Sequence, residues 1–167
     1  MKADGVIVLD TAAEAVQGAD IVITMLFDAA SVADAIEEAA PGLAPGTVWL
    51  QTSTVGVAGI EQLAELATKY QLVLVDAPVL GTKGPAEQGT LTVLAAGPQS
   101  AEETVTGVLD AIGATTRWVG DVGAATKLKL VVNGWGLTVL GGIAQSVKMA
   151  ESFGLDPQLF LDAVAGG

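Results

Sequence analysis

Short apolar runs alternate with longer amphipathic stretches up to Gly123, and there the pattern changes. Ile21–Phe27, IVITMLF, is a continuous apolar run of strand length. Unbroken rather than alternating hydrophobicity suits a strand covered on both faces, as in a parallel sheet. Val48–Gln51, Leu72–Val75, Thr90–Ala95 and Arg117–Val119 read as further strands, and Val6–Leu9 is a shorter β-prone run. Between them, Thr11–Gly18 predicts a short helix with Thr11 at its N-cap, and Ser31–Ala40 a helix with Ser31 as its cap. Val57–Tyr70 places Ile60, Leu63, Ala64 and Ala67 on one helical face, and Ala101–Ile112 supplies another helix. Pro41-Gly42 and Pro45-Gly46 punctuate the loop between the second helix and the strand that follows. Strands alternating with helices imply a doubly wound α/β sheet, with sites at the carboxyl ends of its strands.

Beyond Gly123 the strands stop. Ala124–Phe153 reads as one long, mostly apolar helix, Gly154 as its C-cap, and Asp156-Pro157 as the start of another. The expected organisation is a sheet domain over residues 1–122 and, over 123–167, a long helix that opens an all-α domain. Lys129, Asn133 and Gln145 flank or interrupt the apolar stretch, which falls short of the ~20 residues a membrane span needs. A helix buried in protein is expected, not a membrane partner. The N-terminal segment MKADGVIVLD carries neither a long apolar core nor a small-residue cleavage site, so no leader is expected and the cytoplasm is the default location.

Composition narrows the chemistry. The chain is 51% hydrophobic and 16% charged, which excludes a disordered chain. Its net charge of −12 disfavours nucleic acid and anionic membranes as partners, though a local cationic pocket remains possible. With no cysteine and no histidine, thiolate catalysis and zinc–thiolate sites are excluded and the commonest general base is absent; no metal is expected. Acid–base work then falls to Lys, Asp, Glu or Tyr70.

Four segments gather the remaining candidates: Met25-Leu26-Phe27 with Asp28 and Ser31; Gln51-Thr52-Ser53-Thr54; Asp76–Leu91, DAPVLGTKGPAEQGTL; and Gly120–Trp135, GDVGAATKLKLVVNGW. Each also has an ordinary reading: Ser53 and Thr54 as helix caps, Gly81, Gly84 and Gly89 as turn glycines, Lys127 as a solvated surface lysine. Lys129 differs, because Asn133 stands one helical turn on and an ammonium in an apolar helix needs a partner, a cleft or a shifted pKa.

In order and content these segments, with ADIVITML at Ala19–Leu26, STV at Ser53–Val55 and GAATKLKLVVN at Gly123–Asn133, resemble the β-hydroxyacid dehydrogenase family. That group includes 3-hydroxyisobutyrate dehydrogenases and glyoxylate/succinic semialdehyde reductases, with imine reductases more distant. The resemblance implies NAD or NADP as cofactor, lying across the carboxyl ends of the strands and facing Leu26, Phe27, Ser31 and Thr54. It implies Lys129 as proton donor to a carbonyl oxygen, with Asn133 holding substrate or lysine. It places the substrate at Leu80, Gly81 and Thr82. The family carries a carboxylate-binding serine where this chain has Leu80, so a more apolar carbonyl or an imine joins the small hydroxy acids as expected substrates. The chain has no GxGxxG fingerprint and resembles the middle of such a dehydrogenase, truncated at both ends. Weak cofactor binding is therefore expected, and a homodimer to cover the long apolar helix. The alternative is a catalytically incomplete module that only dimerises or binds a ligand.

Overall fold

The computed structural model describes residues 5–165. Part of the N-terminal segment scanned for a leader lies outside that range. Three strands, β1 (Ile21–Thr24), β2 (Val48–Gln51) and β3 (Val73–Asp76), pair in parallel in that order. In β2 and β3 the side chains alternate between two covered faces, while Ile23 of the edge strand β1 is half exposed. Trp49 and Leu74 point into a cluster with Val32 and Ile36 of α2 (Ala29–Ala39) and Ile60, Leu63 and Leu66 of α3 (Gly56–Lys69). Val48, Leu50 and Val75 point the other way, onto Val105 and Leu109 of α5 (Glu102–Ile112). Two buried faces explain why these strands read as unbroken apolar runs.

After Asp76 the chain kinks at Ala77-Pro78 and continues as β4 (Val79–Leu80), which pairs antiparallel with β5 (Leu91–Ala95). Reciprocal hydrogen bonds between Asp76 and Ala96, 2.8 and 2.9 Å, join this second sheet to the first. β6 (Gly113–Trp118) adds parallel to β5. The last two strands thus run opposite to the first three, a reversal that hydrophobic alternation does not encode. A single-turn helix α4 (Lys83–Glu87) fills the β4–β5 connection.

Four expectations need correcting. Val6–Leu9 forms no strand; it is exposed, and β1 pairs with β2 alone among the described residues, so nothing offers it a ladder. β1 stops at Thr24 instead of Phe27, because the next amide that could continue the ladder, that of Leu26, donates to the Ser53 hydroxyl at 2.8 Å and not to β2 backbone. α2 is capped by Asp28, whose Oδ1 accepts from the Ser31 amide at 2.8 Å; Ser31 is a first-turn residue and not the cap. β6 begins four residues earlier than Arg117, since its polar Thr115 and Thr116 hide a strand that lies at the sheet edge. Thr11 caps α1 (Ala12–Val16) as expected, in a reciprocal box with Glu14.

The chain divides into two compact units, Met1–Lys129 and Leu130–Gly167, the division falling inside the long helix α6 (Ala124–Ser152). The second unit holds the remainder of α6 and α7 (Pro157–Val164). Gly154, at φ +74°, closes α6: its amide bonds Glu151 O and that of Leu155 bonds Ala150 O, both at 3.0 Å. Asp156 caps α7. By length and composition α6 could cross a membrane, and in this unit Val131, Trp135, Leu137 and Leu140 are exposed.

Candidate functional site

Parallel pairing brings Thr24, Gln51 and Asp76 into one row at the carboxyl edge of the sheet, where each is buried and polar. Buried polar groups must find partners, and each of these organises one loop. Thr24 Oγ1 accepts from Trp49 Nε1 at 2.9 Å. The Gln51 carboxamide closes on the backbone of Ser53, accepting from its amide at 2.7 Å and donating to its carbonyl at 2.9 Å. Ser53 Oγ in turn accepts from the Leu26 amide at 2.8 Å. The loops after β1 and β2 are thereby tied together. Leu26 and Phe27 stand clear of the edge, Phe27 93% exposed, and Thr54 presents a free face beside them. Ser31 is less available than expected, because its hydroxyl already donates to Asp28 Oδ1 at 2.7 Å.

Asp76 reaches the opposite way. Its Oδ2 accepts from the amides of Gly123, at 3.1 Å, and Thr126, at 2.8 Å, and its Oδ1 from the Thr126 hydroxyl at 2.7 Å. Burial raises its pKa, and the three hydrogen bonds from Thr126 and Gly123 pull it back only in part. One turn further along α6, Lys129 Nζ donates to the carbonyl of Val79 at 2.7 Å. Partial burial lowers the pKa of this ammonium. Lys127 is exposed, beside Ile60, Glu61 and Val122. The two lysines therefore occupy different surroundings, as two positions about 200° apart on a helix must. Asn133, exposed, belongs to the second unit.

The turn next to Val79 is built for close packing. Leu80 is half-buried against the cluster of Leu94, Ala96 and Ala125. Gly81 has φ +134°, and a Cβ there would stand 2.6 Å from Leu91 Cδ2 and 3.1 Å from Pro85 Cβ. Glycine is needed at that position both for its backbone and for space. Thr82 is exposed and precedes α4 without a side-chain cap bond.

This edge suits the nicotinamide end of a dinucleotide better than its phosphates. Thr54 offers a hydroxyl, Leu26 and Phe27 apolar surface, and Lys129 a half-buried cation in the adjoining segment. A pyrophosphate wants unspent amides at a helix N-terminus. At α2 the Ser31 amide already has a carboxylate, Asp28, whose pKa is lowered by the Ser31 backbone and side-chain hydrogen bonds.

Sequence reasoning picked out Lys129 but not Asp76 as its neighbour in the fold. The signal was the buried acid ending an apolar strand, in VLVDAP, which is costly unless something donates to it.

The profile described as the NAD binding domain of 6-phosphogluconate dehydrogenase matches residues 1–120. Glyoxylate/succinic semialdehyde reductase 2 of Arabidopsis thaliana, a chloroplastic protein, is 30% identical over 89% of the chain and 42% of its own length. The cytokine-like nuclear factor N-PAC of Homo sapiens is 29% identical over 94% of the chain and 29% of its own length. The solved structure of Mycobacterium tuberculosis 3-hydroxyisobutyrate dehydrogenase with L-serine superposes with a TM-score of 0.89 at 30% identity, covering 99% of this chain and 57% of that one. The chain thus spans about half the length of these relatives, or less.

Proposed function

Because this chain belongs to the family of the NAD-binding domain of 6-phosphogluconate dehydrogenase, we propose that it is the cofactor-facing part of a β-hydroxyacid-dehydrogenase-type oxidoreductase. Its substrate would be a small carbonyl compound, the corresponding β-hydroxy acid, or an imine. The observation that carries this reading is the Lys129 ammonium, half-buried and hydrogen-bonded to the Val79 carbonyl in the segment that follows the carboxyl edge.

When bound, reduced nicotinamide supplies a hydride to the substrate carbon. The chain's own part is the proton. As electron density moves onto the carbonyl oxygen, Lys129 Nζ gives it an N–H proton and is left as the amine; in oxidation the amine takes the proton back. Desolvation favours that release by making the ammonium more acidic. Leu26, Phe27 and Thr54 would hold the nicotinamide, Ser53 fixing the Leu26 backbone in place. Asn133 would hold substrate or lysine, a role that rests on the resemblance to the β-hydroxyacid dehydrogenases. Leu80, Gly81 and Thr82 would line the substrate side. A leucine cannot donate to a carboxylate, which tilts the substrate toward apolar carbonyls or imines.

Lys129 sets the sign of the pH dependence. Its pKa in the folded chain lies below the ordinary 10.5, so the donor form is lost as pH rises through that lowered value. The same shift means that this residue costs stability while it is charged, a cost that disappears above 10.5. Carbonyl reduction, followed by nicotinamide absorbance, is expected to fall on the alkaline side with a midpoint below 10.5. A rate that stays level up to that value overturns the assignment.

We also propose a homodimer. Trp135 and Leu137, each 70% exposed, leave the second unit with an apolar face that needs cover. Sedimentation is expected to give twice the chain mass. A monomer that binds no hydrophobic dye speaks against pairing, and partition into vesicles would point to a membrane instead.

A second reading, a ligand-binding or dimerising module without turnover, has two supports. Leu80 packs into a core cluster, and one relative bears the name of a nuclear factor and not of an enzyme.

A further inference from the structure

The first turn of α6 is capped from a distance. The carboxylate that receives its amides belongs to Asp76, 47 residues before Gly123 and 50 before Thr126. Asp76 is fully buried at the end of β3, so the cap is anchored in the sheet. A carboxylate at a helix N-terminus also meets the positive end of the helix dipole. Thr126 takes part twice, through its amide and its hydroxyl, which fixes the rotation of the helix about its axis as well as its position.

Lys129 follows Thr126 by three residues and lies on the same side of the helix. Its acceptor, Val79, follows Asp76 by three residues as well. The two bonds Asp76–Thr126 and Val79–Lys129 both span 50 residues and form a pair of rungs between one extended segment and one helical turn. If the first rung is lost, the helix keeps only its apolar contacts, Ala125 and Leu128 against Leu94 and Ala96, which slide more easily than a directed hydrogen bond, to hold the rotation that brings Nζ to the Val79 carbonyl.

We propose that Asp76 is a positioning residue: by capping α6 through Gly123 and Thr126 it places the Lys129 ammonium against the Val79 carbonyl. Asp76 spends its oxygens on the helix and acts through Lys129. The inference rests on the reading of Lys129 as proton donor, but its test does not need turnover.

The test titrates Lys129 in the full chain by its side-chain Cε resonance, with lysine labelled in carbon-13 and Lys127 as internal reference. In wild type, Lys129 titrates below the ordinary 10.5 of a lysine. In Asp76→Ala, Lys129 is expected to move up toward 10.5. Asp76→Asn is expected to keep Lys129 near its wild-type value, because the amide oxygen can accept from both backbone amides while its NH2 donates to the Thr126 hydroxyl. If Asp76→Ala fails to fold, Thr126→Val takes its place, since it deletes one bond of the cap and is expected to shift Lys129 part of the way. A residue that merely stabilised the fold would lower the melting temperature in these variants and leave the Lys129 titration unmoved; that result overturns the proposal. In turnover, Asp76→Ala is expected to lower kcat by about 10- to 100-fold at unchanged cofactor KM, the scale on which misplaced catalytic groups lose rate. A shifted Lys129 with undiminished kcat leaves the clamp standing and removes the donor reading instead.

Discussion

Replacing Lys129 with alanine lowers kcat by about 10²–10⁴-fold and leaves cofactor affinity nearly unchanged, the range that general acid–base catalysis supplies. The assay requires the chain to be joined to a βαβ unit that cradles phosphates, so that cofactor binding is not limiting. The size of the effect follows from what the chain has to offer. It contains no histidine, and among its six lysines Lys129 is the one hydrogen-bonded to the Val79 carbonyl. Water can replace the proton donor, but without its placement or its lowered pKa. A group that acts only as charge develops on the oxygen should reduce kcat and kcat/KM together. Lys127→Ala is the control. Lys127 is exposed beside Glu61 and Val122, on another side of the helix, and its loss should be close to neutral. A crippling Lys127→Ala with a mild Lys129→Ala would mean that the helical register has been misassigned. Two mild variants would show that no lysine carries the proton, and would favour the module without turnover.

Much of this was legible because burial and periodicity are local. The strands β2 and β3 are apolar on both faces, and the sequence shows this as VWLQ and VLVD. α3 carries its stripe at Ile60, Leu63, Ala64 and Ala67, and all are buried as the spacing demands except Ala64, which is half-buried. The lysine–asparagine spacing singled out Lys129 over Lys127, and the two side chains do differ in burial in that direction. What stayed hidden is non-local. The reversal of β5 and β6 follows from the antiparallel pairing of β4 with β5 after Pro78. The cap of α6 comes from Asp76, and no window of 11–18 residues can join positions 50 apart. β6 was seen only in part because an edge strand needs just one apolar face, and GATTRW has too few apolar residues to announce itself. Ser31 is a good cap residue by type, and so is Asp28 three residues earlier; the hydrogen bond makes Asp28 the cap. Val6–Leu9 shows the converse, since β propensity without a neighbouring strand makes no strand.

The chain as it stands is expected to bind NADH or NADPH weakly, with a Kd above ~100 µM, where an affinity near 1 µM would need about 8 kcal/mol. The contacts it can make are those of the nicotinamide end: the Thr54 hydroxyl, the apolar faces of Leu26 and Phe27, and Lys129. The phosphates fare worse. The first helix after β1 presents Asp28, whose carboxylate already receives the Ser31 amide and hydroxyl at 2.8 and 2.7 Å, so an incoming phosphate meets a negative charge where it needs donors. The net charge of −12 adds a long-range penalty that salt should relieve. If this account is right, nicotinamide mononucleotide and the full dinucleotide should bind within a few-fold of each other, because the second half of the cofactor gains little. Fluorescence titration of the reduced dinucleotide, with the mononucleotide as competitor, tests both statements. Low-micromolar dinucleotide binding would contradict them and would direct attention to α3, whose N-terminus at Val55 carries no side-chain cap bond and follows the carboxyl end of β2. Asp28→Asn then separates the two helices: a gain in dinucleotide affinity places the phosphates at α2, and no change leaves α3 as their anchor.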